Sequence, residues 1–259
     1  MRGCGNLSGS RRNILGVIPA RYASTRLPGK PLADICGKPM IRHVWERARL
    51  SKSLSAIVVA TDDPRVCDAV RAFGGEAVLT SPDHPNGTSR AEEAARGRDA
   101  WAVINIQGDE PLLDPLMIDE VAGALAEPGV EFATLCRPLL DEADRADPNT
   151  VKVVLAQNGD ALYFSRSLIP YPRHEPAVPV YQHIGIYGYS MAFLRRYAEL
   201  PMTPLAEAES LEQLKALEHG YRIRVRVTAS ALPSRGVDTP EDLEAVRDIL
   251  RGAIKDDGR

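Results

Sequence analysis

The chain of 259 residues is long enough for one large domain with a substantial hydrophobic core. Its 32 basic and 35 acidic residues give a formal net charge of −3, which indicates neither a nucleic-acid-binding protein nor a charged binding tail. An apolar content of 44% and a charged content of 26% are typical of a soluble globular protein.

Cysteine spacing and the N-terminal segment bear on the compartment. The four cysteines form neither a C-x-x-C pair nor a zinc-ligand spacing, so we interpret them as reduced thiols of a cytoplasmic protein. The first apolar run, residues 14–20, is too short to span a membrane and lacks a signal-peptide cleavage pattern, so we expect no membrane insertion. Residues 1–12 carry no structural signal and are predicted to be a flexible leader.

Strand-like and helix-like segments alternate through the first half of the chain. Continuous apolar runs, as in strands covered on both faces, occur at 14–20, 56–60 and 101–106. Segments with apolar residues on one helical face follow each run and begin near Pro39, Pro64 and Pro115. This βαβ rhythm predicts an α/β fold with a mostly parallel mixed sheet flanked by helices.

The second half is predicted to contain four further strands and two helices. The strands are expected at 151–156, 161–164, 183–189 and 221–227, and one continuous helix at 205–219. The last helix is expected to begin at Thr239-Pro240 and to point Leu243, Val246 and Ile249 inward. Neither an internal repeat nor a linker divides the chain, so residues 13–259 are predicted to form a single domain.

Polar clusters follow the three strand-like runs of the first half, at residues 21–30, 61–63 and 107–111. In open α/β sheets, ligands bind beyond the carboxyl ends of the strands. Because the clusters coincide with those ends, the sequence predicts one ligand site along this edge of the sheet.

The loop after the first predicted strand is rich in cations: Arg21, Arg26 and Lys30. A triphosphate needs compensating cations, and a close backbone adds N–H donors, so the loop is predicted to bind a polyphosphate. A P-loop is excluded, because Ser24 stands where its first glycine would be and Pro31 where its Ser or Thr would be. The alternative is a solvated basic loop.

Three carboxylates in two other segments could hold a metal ion. Asp109 lies beside Gly108 at the end of a predicted strand, and Mg²⁺ typically takes one or two carboxylates plus phosphate oxygens. Glu110 is a second candidate, and both residues could instead belong to a plain turn. Asp238 is a third, although an Asp beside a helix start is commonly a cap; if Thr239 caps the helix, Asp238 can face a metal.

Two further segments could contact a ligand. In the loop at 84–90, the backbone at Gly87 and the side chain of Arg90 could hold an anion or contact a base, although a plain turn is equally compatible. On the strand at 183–189, His183 and Tyr187 could hydrogen-bond sugar hydroxyls, although a lone strand histidine is more often structural.

Taken in order, the motifs resemble those of the 3-deoxy-manno-octulosonate (Kdo) cytidylyltransferase family. The similarity covers residues 14–250, and its opening signature is Ile18-Pro19-Ala20-Arg21-Tyr22-Ala23-Ser24-Thr25-Arg26-Leu27-Pro28-Gly29-Lys30-Pro31-Leu32. The later matches are Ala60-Thr61-Asp62, Gly87-Thr88, Gln107-Gly108-Asp109-Glu110-Pro111, Ala161-Leu162-Tyr163-Phe164-Ser165-Arg166, residues 183–189, Leu211-Glu212-Gln213-Leu214 and Gly236-Val237-Asp238-Thr239-Pro240-Glu241-Asp242.

The resemblance implies a nucleotide-diphospho-sugar transferase (Rossmann-like) fold and a cytoplasmic homodimer with a dimerisation and sugar-binding lobe around residues 130–220. The implied reaction couples CTP with Kdo to give CMP-Kdo and pyrophosphate, which activates Kdo for lipopolysaccharide biosynthesis. Carried over by motif, Arg21, Ser24 and Lys30 contact CTP, Gln107 lies near the nucleotide, and the Mg²⁺ ligands are Asp109 and Asp238. Gly87 and Arg90 are added as substrate-binding residues from the loop at 84–90. The residues implied to face the sugar acid are Arg166, His183, Tyr187, Glu212 and Gln213, and the implied catalytic groups are Arg21, Lys30 and Asp109.

Two departures from the family pattern concern the choice of sugar. Ser89 stands where the family commonly has an acidic residue, and Ala206 where it often has Glu. They leave open an 8-amino analogue of Kdo or a sialic-acid-like sugar as the acceptor. A protein of the same fold that binds the nucleotide without catalysis is the alternative of a different class.

Overall fold

The computed structural model describes residues 12–24, 26–174, 178–232 and 236–257. The leader predicted at residues 1–12 lies outside this range apart from Arg12, and so does Thr25 of the cationic loop. No described helix is both long and apolar enough to cross a membrane.

The strands of the described residues alternate with helices through the first half, as predicted. They are β1 (Ile14–Pro19), β2 (Asp34–Ile35), β3 (Lys38–Pro39), β4 (Ala56–Thr61), β5 (Glu76–Leu79), β6 (Ala102–Asn105), β7 (Phe132–Pro138), β8 (Lys152–Leu155), β9 (Ala161–Ser165), β10 (Tyr181–Ser190) and β11 (Arg224–Val227). The helices are α1 (Met40–Ala48), α2 (Pro64–Ala72), α3 (Gly87–Ala95), α4 (Pro115–Leu125), α5 (Glu142–Ala146), α6 (Met191–Glu199), α7 (Pro204–Glu209), α8 (Glu212–Glu218) and α9 (Pro240–Asp257).

The main sheet has the strand order β11-β7-β10-β6-β1-β4-β5. All neighbours along this path are parallel except at β10, which runs antiparallel to both β6 and β7. The β8–β9 hairpin joins the sheet through pairing of β8 with β10. The predicted α/β class, a mostly parallel mixed sheet flanked by helices, is therefore confirmed.

Hydrophobic cores cover both faces of the sheet, which explains why its central strands are apolar throughout. On one face, α1, α2 and α4 pack on alternate strand residues such as Ile18 and Ile104. On the other, α3, α6 and α8 pack on Val17, Val103 and a cluster of aromatic side chains around Phe132. With both faces covered, a ligand can reach the sheet only along its edges.

A smaller core brings the end of the chain back to its beginning. Val237, together with Leu243 and Val246 of α9, packs against Ile35 of β2 and against Met40, which directly follows β3. As a result, the start of α9 lies beside the loop that follows β1.

Several details of the second half differ from the sequence prediction. The helix expected at 205–219 is two helices, because Ser210 adopts a left-handed conformation (φ 51°) and the amide of Leu211 donates to the carbonyl of Ala206, which ends α7. The strand expected at 221–227 begins only at Arg224. Ile249 is 45% exposed rather than directed inward, whereas Leu243 and Val246 are buried. In the second half, strand β7 and helices α5 and α6 were not predicted, and in the first half strands β2, β3 and β5 were not.

Candidate active site

A cavity of about 430 Å³ opens at the carboxyl ends of β1 and β6. Its lining comes from the loop after β1, the start of α3 and the loop after β6. The lining residues are Pro19, Ala20, Arg21, Ala23, Ser24, Arg26, Lys30, Pro31, Met40, Gly87, Arg90, Gln107, Gly108 and Asp109. The edge of the sheet predicted to hold the ligand thus contains a cavity, and it gathers the residues implied to contact the nucleotide.

The ammonium group of Lys30 lies between two carboxylates. Its Nζ donates to Asp109 Oδ2 at 2.6 Å and to Asp238 Oδ1 at 2.9 Å. Burial opposes the charge of Lys30, but the two carboxylates outweigh it and raise the lysine pKa above its usual value of 10.5. Lys30 is therefore a fixed cation at neutral pH, and the two predicted metal ligands lie within reach of one common point.

Asp238 reaches this position because Thr239 takes the capping role. The hydroxyl and amide of Thr239 both donate to Asp242 Oδ2, and the amide of Asp242 donates back to the Thr239 hydroxyl, in the reciprocal pattern of a capping box. The amide of Val237 donates to the carbonyl of Asp109 at 2.9 Å and joins the two carboxylate-bearing loops. The alternative in which Asp238 caps the helix is wrong.

The other two cations of the loop after β1, Arg21 and Arg26, also line the cavity but make fewer contacts than Lys30. Arg21 Nη2 donates to the carbonyl of Pro85 at 3.3 Å, and Arg26 pairs with Asp238 at 3.2 Å. The Ser24 hydroxyl accepts from the amide of Leu27, which stabilises the turn between them. Both arginines are largely exposed, so they can move towards an anionic ligand.

Arg90 is the buried cation of the site. Its Nη1 donates to Thr80 Oγ1 at 2.5 Å, and its Nη2 lies 3.5 Å from Asp62 Oδ2. Burial lowers the Arg90 pKa from its usual value, with Asp62 acting in the opposite direction. Within the described part of the chain, Nη2 is buried without a hydrogen-bond partner, and Arg90 lines the cavity. A buried donor left in this way is a candidate contact for an anion.

Gln107 and Gly108 fix the loop after β6 against its neighbours. The Gln107 side-chain amide donates to the carbonyl of Gly185 in β10 at 2.8 Å. At Gly108 the backbone passes so close to the carbonyl of Pro19 that a side chain there would overlap it. This contact places Asp109 directly opposite the loop after β1.

Four of the five residues implied to face the sugar lie together behind the cavity, on the face of the sheet covered by α3, α6 and α8. The Tyr187 hydroxyl donates to Gln213 Oε1 at 3.4 Å, and the rings of His183 and Tyr187 are 5.5 Å apart. His183 Nε2 lies 3.0 Å from Thr134 Oγ1, and burial lowers the His183 pKa to about 3, so its imidazole is neutral at physiological pH.

Glu212, the fourth, brings a buried carboxylate to the same region. Burial raises its pKa above the usual value, and a hydrogen bond from the Thr88 hydroxyl at 2.7 Å opposes that shift. Glu212 Oε2 and Gln213 Nε2 are both buried without a partner among the residues that the structure describes. One acceptor and one donor are thus available for a polar ligand.

Arg166, the fifth, sits at the break between α7 and α8. Its guanidinium donates to the carbonyls of Glu209 at 2.7 Å and Pro148 at 2.9 Å, and its amide donates to the Glu209 carboxylate. The buried ammonium of Lys152 donates in turn to the Arg166 carbonyl at 2.5 Å. These bonds hold the Arg166 guanidinium against the turn at Glu209 and direct its donors to backbone carbonyls rather than to a ligand.

Comparison with known proteins identifies the family. A family model described as cytidylyltransferase matches residues 15–223. The chain is 49% identical over 245 residues to a 3-deoxy-manno-octulosonate cytidylyltransferase of Solibacter usitatus, covering 94% of this chain and 96% of that protein. A protein of the same name from Myxococcus xanthus is 52% identical over 244 residues, covering 92% and 96%.

The chain belongs to the 3-deoxy-manno-octulosonate cytidylyltransferase family. The resemblance noted in the motifs is therefore confirmed, and the chain is a nucleotidyltransferase enzyme. An 8-amino-3,8-dideoxy-manno-octulosonate cytidylyltransferase of Shewanella sediminis is equally similar, 49% identical over 243 residues, with 92% and 98% coverage.

Solved structures agree with this assignment. A CMP:2-keto-3-deoxy-manno-octonic acid synthetase solved in complex with CTP is 47% identical to the enzyme, with a TM-score of 0.88 and coverage of 93% of this chain and 99% of that chain. A 4-diphosphocytidyl-2C-methyl-D-erythritol synthase from Anaerococcus prevotii is only 11% identical with a TM-score of 0.60, and shows the shared fold alone.

Several polar residues of the enzyme's site had no role predicted from the sequence. Thr88 and Asn105 connect Glu212 to the end of β6, and Thr134 contacts His183. Lys152 holds the Arg166 turn. A buried Thr or Lys in a strand or first helical turn carries no local signal, because its role depends on which distant partner the fold brings to it.

Gly108→Ala is expected to destabilise the enzyme by about 1–3 kcal/mol, the usual range for overpacking, because the new methyl group would overlap the Pro19 carbonyl. The matched control is Gly123→Ala in α4, where a methyl group meets nothing within 4 Å and alanine favours the helix. Chemical denaturation of both variants measures the difference. Equal stability of the two variants would show that the loop after β6 relaxes freely.

Proposed function

We propose that the enzyme transfers CMP from CTP to 3-deoxy-D-manno-octulosonate and releases pyrophosphate. The observation that carries the proposal is the placement of Lys30 between Asp109 and Asp238 at a cavity that Arg21 and Arg90 also line. Three cations beside two carboxylates suit a nucleoside triphosphate accompanied by a divalent metal ion. The names of the relatives and the CTP complex of the similar solved structure support the same substrates.

The reaction joins the anomeric oxygen of the sugar acid to the α-phosphorus of CTP. As that bond forms, the bond from the α-phosphorus to the bridging oxygen breaks, pyrophosphate leaves, and the proton of the sugar hydroxyl is released to water. Negative charge builds on the departing pyrophosphate, and Lys30 and Arg21 are the cations best placed to stabilise it. Arg90 would hold a further anionic group through its Nη2, which has no hydrogen-bond partner among the described residues and lies 3.5 Å from the Asp62 carboxylate.

The donor set at Asp109 and Asp238 fits Mg²⁺. Both offer carboxylate oxygens, the ligand type that Mg²⁺ prefers, and both already face a single cation, the Lys30 ammonium. The two carboxylates would supply part of the coordination of Mg²⁺, and phosphate oxygens and water would supply the rest. When bound, Mg²⁺ would neutralise phosphate charge and favour attack on phosphorus.

The sugar acid would lie on the side of Glu212 and Gln213, where a buried acceptor and a buried donor await a polar ligand. Tyr187 donates to Gln213, its ring lies 5.5 Å from that of His183, and Arg166 donates to the carbonyl of Glu209, three residues before Glu212. The Solibacter and Myxococcus relatives favour Kdo, whereas the Shewanella relative makes the 8-amino analogue the second candidate.

Pyrophosphate release from CTP with a panel of sugar acids tests the proposal. Kdo is expected to give the highest kcat/KM, ahead of 8-amino-3,8-dideoxy-manno-octulosonate and a sialic acid. A higher value for the amino sugar would reassign the substrate within the same chemistry. CTP binding without pyrophosphate release from any sugar would support the non-catalytic alternative and contradict the proposal.

A cytoplasmic homodimer completes the proposal. Around the lobe at residues 130–220, the large apolar side chains of Leu140, Tyr171 and Val178 are 89%, 82% and 63% exposed. Side chains of this kind are commonly buried in an oligomer interface. Light scattering combined with size-exclusion chromatography tests this part, and a monomer at micromolar concentration would contradict it.

A further inference from the structure

Thr88 lies at the junction of the nucleotide side and the sugar side of the site. It occupies the first turn of α3, is fully buried, and sits between Gly87 and Arg90, which both line the cavity. The turn is fixed by the side chain of Asn86, which accepts from the amide of Ser89 at 2.9 Å. Thr88 therefore lies in the helical turn that supplies two cavity-lining residues, but it does not itself line the cavity.

The Thr88 hydroxyl is directed at the sugar side. It lies 2.7 Å from Glu212 Oε1, 3.3 Å from the side-chain amide of Asn105 and 3.4 Å from the Tyr189 hydroxyl. An ionised carboxylate only accepts hydrogen bonds, so the single proton of Thr88 goes to Glu212, and Asn105 donates to the Thr88 oxygen. The Thr88 hydroxyl therefore donates to Glu212 and accepts from Asn105.

This bond decides which carboxylate oxygen of Glu212 faces a ligand. Because Oε1 is held by Thr88, Oε2 is the oxygen that is buried without a partner among the described residues. Nε2 of the neighbouring Gln213 is likewise buried without a partner among the described residues, and Oε1 of Gln213 accepts a hydrogen bond from the Tyr187 hydroxyl. One oxygen of each side chain is anchored in the protein, and the other polar atom is left for the ligand.

We propose that Thr88 is a positioning residue for the sugar acid, because it orients the Glu212 carboxylate from the same helical turn that forms the nucleotide cavity. The inference rests on the proposed function. Its consequence is that α3 sets the position of the sugar-binding carboxylate relative to the nucleotide, so loss of the hydroxyl impairs sugar binding and turnover but not CTP binding.

The charges around Glu212 give the proposal a second readout. Burial raises the Glu212 pKa, and the Thr88 hydrogen bond and the Lys215 ammonium oppose it. The other groups facing it are the Tyr187, Tyr189 and Tyr197 hydroxyls, whose own pKa values burial raises, so they stay neutral. Without the Thr88 hydroxyl, the Glu212 pKa rises further. As the pH falls, the carboxylate is then protonated at a higher pH than in the wild type, and the activity that needs the carboxylate is lost there.

Thr88→Val, which keeps the shape and removes the hydroxyl, is the test. We expect kcat/KM for the sugar acid to fall by about 10- to 100-fold, through a higher KM or a lower kcat, which is the loss typical of one hydrogen bond to a charged group. The CTP affinity measured by calorimetry should stay within about twofold of the wild-type value. The acid limb of the sugar kcat/KM profile should move to higher pH. Thr88→Ser, which restores the hydroxyl, should recover most of the activity and return the limb.

The matched control is Thr228→Val. Thr228 also donates to a glutamate, Glu120 Oε2, at 2.5 Å, but neither residue lines the cavity or contacts Glu212. This variant should keep the wild-type sugar KM and pH profile. If Thr88→Val fails to fold by circular dichroism, Thr88→Ala removes the same hydroxyl with less side-chain bulk.

The outcomes separate the two proposals. A wild-type chain that releases no pyrophosphate with any sugar acid and binds none of them overturns both. An active wild type whose Thr88→Val variant keeps the sugar KM, kcat and acid limb overturns the role of Thr88 alone. Equal losses in CTP and sugar affinity would also overturn it, because they would show a general disturbance of α3.

Discussion

Lys30→Ala is expected to lower kcat/KM by about 100- to 1000-fold, the loss typical of removing one group that stabilises charge in a transition state. The ammonium group is the only part of the residue that both carboxylates contact, and no other cation of the described residues bridges Asp109 and Asp238. The free energy of unfolding should change by only about 1 kcal/mol, because the carboxylates are partly exposed and water can solvate them.

The measurement is steady-state pyrophosphate release, with thermal unfolding recorded on the same preparation. Lys38→Ala is the matched control, because Lys38 also pairs with a carboxylate, that of Glu46, but its side chain is 40% exposed and outside the cavity. That control should keep wild-type activity. Near-normal activity of Lys30→Ala would remove Lys30 from the catalytic groups, and a large loss of stability would make it a structural residue.

Protonation of Lys30 does not limit activity near neutrality. Because the two carboxylates raise its pKa above 10.5, the cation is fully present through the physiological range and is lost only at higher pH. Any pH dependence of the wild-type enzyme near neutrality must therefore come from a group other than Lys30, and burial raises the pKa of Glu212 towards that range.

Hydrophobic periodicity predicted the part of the fold that carries the nucleotide side. Strands such as β1 and β6 are buried on both faces, so their sequences are continuous apolar runs. The polar residues that follow each run in the sequence therefore lie at the carboxyl end of the strand. Lys30 and Asp109 could be placed in one site on that basis alone. Their contact with Asp238 could not, because Lys30 and Asp238 are 208 residues apart and meet only through the packing of α9 on the β2–β3 hairpin.

The sugar side was less accessible to sequence reasoning, because its geometry depends on one backbone conformation. Ser210 adopts the left-handed region that glycine usually fills, so nothing in its identity predicts the break between α7 and α8. That break turns Glu209 towards Arg166 and sends Glu212 towards Thr88. A continuous helix would have placed these two carboxylates on a common surface instead.

Exchange of the carboxylates for amides gives the second large effect. In Asp109→Asn and Asp238→Asn, the Mg²⁺ concentration for half-maximal rate should rise by at least the 10- to 100-fold typical of losing a supporting group of a metal site, with a parallel fall in kcat. Asp109→Asn should be the more severe variant, because Asp109 is less exposed, 31% against 49%, and makes the shorter contact with Lys30, 2.6 against 2.9 Å.

The two carboxylates are expected to act as one unit, and a double-mutant cycle decides this. If both hold the same ion, the second substitution adds little once the first has displaced it, so the combined loss should be clearly smaller than the product of the single losses. Asp99→Asn is the control, because its carboxylate accepts a hydrogen bond from Asn13 near the opposite edge of the sheet. Unchanged Mg²⁺ titrations in both single variants would mean that the carboxylates serve only to hold Lys30, and multiplicative losses would assign them separate roles.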